Sequence, residues 1–114
     1  MFSSSSFAEW TRLGKNSNGN TIYVDFEGVR KHGEFVYWWD LLNYLKPTKN
    51  GRLSDKTYNQ GDCKVFRFQR LSFVFHNQPM GRDTGDIFTP KKTEWEYPSP
   101  GTVSEAVLKQ VCSR

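Results

Sequence analysis

The stretch "PGTVSEAVLKQVC", residues 100–112, states its own structure more clearly than any other part of the chain. Pro100 and Gly101 stop whatever precedes. Thr102 is a good N-cap and Glu105 stands three residues on, the spacing of a reciprocal capping box. Val103, Val107, Leu108, Val111 and Cys112 then share one face at helical spacing, while Glu105 and Lys109 form an i,i+4 pair on the other. The segment is a short amphipathic helix. Its apolar stripe needs a surface to bury against, and Cys112 points into that surface.

The surface is a sheet. The chain has 114 residues, the length of one domain with one modest core. Alanine is nearly absent, which argues against a helical bundle. Aromatic residues make up 16% of the chain, so rings take the place of scarce aliphatics in the core and favour strands. In "TIYVDF", Ile22, Val24 and Phe26 alternate with Thr21, Tyr23 and Asp25, the period of a half-buried strand. The turn chemistry of "KNSNGN" precedes it, and His32-Gly33 marks a further tight turn. "EFVYWWDLLNYLKP" fits a strand through Phe35, Tyr37, Trp39 and Leu41, or a helix through Trp38, Leu41, Leu42 and Leu45. Its β-rich flanks favour the strand. Asn50-Gly51 signals a hairpin. Strand character resumes near Lys56 and runs through Cys63 into "CKVFRFQRLSFVFHN". There Phe66 and Phe68 are apolar on one phase, and Leu71, Phe73 and Phe75 on the other. The slip at Gln69-Arg70 predicts a β-bulge. "QPMGRDTGD" is a loop and "IFTP" a brief strand. Trp95, in the irregular "KKTEWEYPSPG", is expected to anchor in the core, as are Phe66, Phe68, Phe73 and Phe75.

The two cysteines bear on location. Cys63 and Cys112 are too few and too far apart for a zinc signature, and there is no C-x-x-C for redox work. Neither His32 nor His76 is marked as the base of a cysteine nucleophile. A structural disulfide explains more: it ties a terminal helix to the sheet, and closing a loop of roughly 50 residues is worth about 4 kcal/mol. Such bonds persist in oxidising compartments. Two buried free thiols are the alternative the residues leave open.

Other features exclude or suggest function classes. The net charge is +4, mild for a nucleic-acid binder. No run of residues approaches the length and apolarity of a membrane span. "FSSSSFAEW" after Met1 is no signal peptide, so the chain is either cytosolic or a mature exported chain whose leader is gone. "DTG" at Asp83–Gly85 invites an aspartic-protease reading, but Arg82 and Asp86 flank it and a solvated turn explains it better. "RFQRLSFVF" lacks the glycines of an RNA-recognition motif, though interleaved basic and aromatic residues keep an OB-like nucleic-acid binder as the alternative. The hairpin "KPTKNGRLSDK" carries Lys46, Lys49, Arg52 and Lys56, the place to look for an acidic partner. A small-ligand pocket between sheet and helix is a third possibility. No metal, cofactor or catalytic set is legible.

Trp10, "YVD" at 23–25, "DC" at 62–63 with the following "RFQRLS", "PMG" at 79–81, Trp95 and "PGTVSEAVLKQVC" occur here in an order that resembles the surface-adhesin protein E family of exported bacterial proteins. The resemblance covers about residues 10–112. Within it Trp10, Tyr23, Asp25, Trp95 and Glu105 stand as structural motif residues. It implies a mainly β, α+β fold: about six antiparallel strands in a curled sheet, with one C-terminal helix held across a face by a Cys63–Cys112 bridge. It implies export to the periplasm, outer surface or medium, a non-catalytic adhesin-like role, extracellular proteins or polyanions as partners, and homodimers in some members. Residues 1–9 would then be an unstructured or appended segment and 10–114 the domain. The lipoprotein cysteine of anchored members has no counterpart here, and no segment matches a host-protein binding region residue by residue.

Overall fold

The computed structural model describes residues 9–114. Apart from Glu9, the segment expected to be unstructured lies outside them. Seven strands form one antiparallel sheet: β1 (Thr11–Lys15), β2 (Thr21–Val24), β3 (Arg30–His32), β4 (Phe35–Asn43), β5 (Ser54–Asp62), β6 (Arg67–His76) and β7 (Asp86–Phe88). One helix, α1 (Val103–Cys112), follows. The sheet order is β1-β2-β4-β5-β6-β7, and β3 pairs with β4 as well. Both β2 and β3 lie on the same edge of β4: Val24 pairs with Asp40 and Arg30 with Tyr37. A turn of 3₁₀-helix at Phe26–Gly28 separates them, capped by the Asp25 side chain, which accepts from Gly28 N. The expected "about six" strands are therefore six positions, one of them split in two.

Residues 35–43 are a strand, so the ambiguity there resolves toward β. The alternation read from the sequence, Phe35, Tyr37, Trp39 and Leu41, is not the phase that meets α1, although Leu41 is fully buried. Val36 and Trp38 are buried against α1, and Asp40 and Leu42 continue that face. The phase of Tyr37 and Trp39 faces the other side, where Tyr58 stacks between them. The bulge is real and one residue further on. Asn59 pairs with Arg70 and Tyr58 with Ser72, leaving Leu71 unmatched. By this device Phe68 on one side of the bulge and Phe73 on the other both face inward.

One expectation is corrected at Cys63. The strand does not run through it: residues 63–66 form the tight turn between β5 and β6. Asp62 makes the turn. Its Oδ1 accepts from Lys64 N and Val65 N, and its carbonyl accepts from Phe66 N. Phe66 takes the left-handed conformation, φ 63°, where glycine would ordinarily be expected. That substitution hid the turn from sequence reading.

The helix is as read. Thr102 Oγ1 accepts from Glu105 N, and the Glu105 carboxylate reaches Gly101 N, one residue before the N-cap. Val107, Leu108 and Val111 are buried on Val24, Phe26, Val36, Trp38 and Phe68. Each such side chain contributes about 1.5–3 kcal/mol by leaving water. The Cys63–Cys112 disulfide closes the end of α1 onto the β5–β6 turn, with Cα atoms 5.7 Å apart. Three expected core residues lie elsewhere. Trp95 is half-buried outside the core, 5.9 Å from the Phe35 ring and under the Arg67 guanidinium at 4.3 Å. Phe73 and Phe75 are half-buried and stacked on each other 5.9 Å apart, beyond the reach of the helix.

Candidate functional site

Ten residues of helix span about 15 Å, while nine- and ten-residue strands span about 30 Å. Thus α1 covers only part of the inner face, and the rest is an open cleft of about 560 Å³. The first turn of α1, from Gly101 to Ser104, forms one wall. The β1–β2 turn, with Lys15, Asn16 and Ser17, forms another. The floor is the middle of β4, β5 and β6.

That floor is polar where a core would be apolar. Asp40, Thr57, Asn59, Asp55 and Arg70 lie on it, with Trp38, Phe68 and Phe73 around them. Asn59 Nδ2 donates to Asp40 Oδ2 at 3.0 Å. The Trp38 indole N–H is buried beside Asp40, yet it has no hydrogen-bond partner among the described residues. Burial raises the Asp40 carboxyl to about 7, the nearby Arg70 charge offsetting only part of that cost and Asp55 adding to it. Burial also raises Asp55, against the hydrogen bond it accepts from Tyr44. Arg70 is otherwise engaged, paired with Glu96 and lying over the Phe68 ring at 5.2 Å.

Sequence reading missed this set. The available signal was Asp40 itself, a carboxyl in step with Val36 and Trp38. The strand pattern is read through Phe35, Tyr37, Trp39 and Leu41, the other phase of β4, and so passes over it.

The basic hairpin is less concentrated than its sequence suggests. Lys46 and Lys49 are exposed on the long β4–β5 loop. Arg52 is committed to Asp86 at 2.7 Å and also donates to Asn77 Oδ1. Lys56 points to the opposite face of the sheet, into a shallow hollow with Trp10, Asp25, Trp39 and Val74. Trp10 and Asp25 thus meet there. Tyr23 is on the same face of the sheet, paired with Leu41. Glu105 remains at the start of α1, 3.9 Å from Lys109.

Asp83 of "DTG" is tied rather than freely solvated. It accepts from Asn77 N at 3.0 Å and bonds His76 Nδ1 at 2.9 Å. These contacts, the Asn77 N–H foremost, hold its carboxyl below the usual range. His76 is fully buried, and no second aspartate joins the pair. Among the described residues, no cluster of His, Cys, Asp and Glu could hold a metal ion. No described helix is long and apolar enough to cross a membrane.

Comparison with known proteins gives one family and one fold. The family model described as surface-adhesin protein E matches residues 10–113. The crystal form II structure of Haemophilus influenzae protein E superposes with a TM-score of 0.68 at 20% identity, over 96% of this chain and 91% of that one. Its selenomethionine form gives 0.69 at 19% identity, over 96% and 90%. Protein E from non-typeable Haemophilus influenzae gives 0.65 at 20% identity, over 97% and 80%. At such identities the likeness is one of fold. No curated protein matches the chain.

Proposed function

The chain belongs to the surface-adhesin protein E family, and from that premise we propose that it works outside the cytoplasm as a non-catalytic module that holds an acidic extracellular partner, a protein or a polyanion. The adhesin-like character comes with the family. The observation that carries the extracellular reading is the Cys63–Cys112 bridge. A bond that fastens the last turn of α1 to the sheet is useful where thiols stay oxidised. Nothing favours the nucleic-acid alternative. Of the aromatics that suggested it, Phe68 is in the core, and Phe73 and Phe75 stack on each other.

Partner contact is assigned to the β4–β5 loop. Lys46 and Lys49 are exposed there, and no described acidic group lies within ion-pair distance of them. Arg52 supports the loop through Asp86, and Lys56 faces away, so the contact rests on the two lysines. Immobilised heparin is a suitable probe. The wild-type chain should be retained and released by salt, since such contacts are screened over about 10 Å at 0.1 M. Lys46→Glu with Lys49→Glu should elute at markedly lower salt with unchanged thermal stability. Equal retention of the double variant would remove the loop from the proposal.

A further inference from the structure

No residue of the lysine loop lines the cleft beside α1, and its composition asks for a different kind of ligand. We propose that it binds a small organic ammonium ion, with Asp40 and Asp55 receiving the charged nitrogen and Trp38, Phe68 and Phe73 enclosing an apolar body.

Three observations lead there. Two aspartates face one cleft that also presents the Trp38, Phe68 and Phe73 rings. Donors already converge on Asp40: Asn59 bonds it, and the Trp38 N–H is buried beside it without an acceptor. An unpaired buried N–H is costly, and it is satisfied if Asp40 ionises and draws the indole in. Finally, the cation already beside that charge, Arg70, is shared with Glu96, so it offsets only part of the cost of ionising Asp40. What the arrangement lacks is a counter-charge delivered from the open side, which an ammonium supplies. The aromatic rings add cation–π attraction of about 0.5–2 kcal/mol.

Asp40 is near the middle of its titration at neutral pH, so binding is linked to pH. The charged or titratable groups facing it are Asp55 on β5, Arg70 on β6 and exposed Lys15 at the end of β1. The wall from α1 contributes Thr102 and Ser104 but no titratable side chain. A cation favours ionised Asp40, so affinity rises as pH rises toward and through 7, then levels off.

The test uses 2-phenylethylamine and its neutral counterpart 2-phenylethanol, titrated calorimetrically into the full chain at pH 5.5 and pH 8. An alkylammonium stays charged across that range. The amine should bind at least roughly tenfold tighter than the alcohol at pH 8, and roughly tenfold tighter at pH 8 than at pH 5.5. Asp40→Asn should remove most of the preference and the rise in affinity between pH 5.5 and pH 8. Asp55→Asn, which leaves Asp40 in place, should weaken the amine several-fold and keep the pH dependence, so one informative variant remains if the other fails to fold. Equal affinity for amine and alcohol, pH-independent binding, or no binding of either compound would overturn the proposal.

Discussion

Asp40 is the residue where structure and chemistry disagree most usefully. A carboxyl raised from 3.8 to about 7 is one the folded protein holds protonated where the unfolded chain has lost its proton. The sign follows. Below about pH 4 both states are protonated and the group costs nothing. Between there and pH 7 the folded state binds more protons, so stability falls as pH rises, and above 7 the penalty is complete. Asp55 acts in the same direction. Asp62 and Asp83 act in the opposite one, because hydrogen bonds lower both and their contribution is lost as pH falls. Asp40→Asn, which keeps the shape and deletes the charge, should therefore be more stable than wild type at pH 8 by about 1–4 kcal/mol. The gain should shrink toward zero by pH 4. Urea denaturation at the two pH values measures it, and a variant destabilised at pH 8 would show that the carboxylate earns its place structurally. A residue that lowers stability in a cleft is the expected mark of a binding group.

At the scale of elements, the determining event is the approach of α1 to β5. Gly61 permits it. A Cβ there would lie 2.8 Å from the Trp38 ring and 3.0 Å from both Leu108 and Val36. Gly61→Ala should thus lift the helix and cost about 1–3 kcal/mol by overpacking. Thermal unfolding of the oxidised protein would register it as a lower midpoint, and an unchanged midpoint would mean that the helix–sheet contact is looser than described. Elements were legible in the sequence to unequal degrees. The capping box at Thr102 and the stripe from Val103 to Cys112 gave α1 completely, because helix signals are local. The slip from Phe68 to Phe73 gave the bulge within one residue, since a change of phase is written in the side chains themselves. The β5–β6 turn was invisible, because Asp62 and a left-handed Phe66 do the work usually done by Asn-Gly. Which phase of β4 meets the helix was not legible because both phases are aromatic, and only the position of α1, a long-range fact, decides between them.

Across the whole molecule, a short helix on a wider sheet produces both the fold's weakness and its cleft. The buried cluster is small, and one covalent bond secures its lid. The cleft could not be read from the sequence, since its members come from β1, β2, β4, β5, β6 and α1 and meet only on folding. The bridge could be read, because a helix with a cysteine on its buried face implies a partner on the sheet. An extracellular role requires that bond to form where the protein works. Intact mass after alkylation of cells of its own bacterium at harvest addresses this directly. The expected result is a chain lighter by two hydrogens, unlabelled until reduced, with both Cys63 and Cys112 labelled afterwards. Folded protein carrying two freely alkylated thiols would contradict the account, and with it the argument that the module acts outside the cytoplasm.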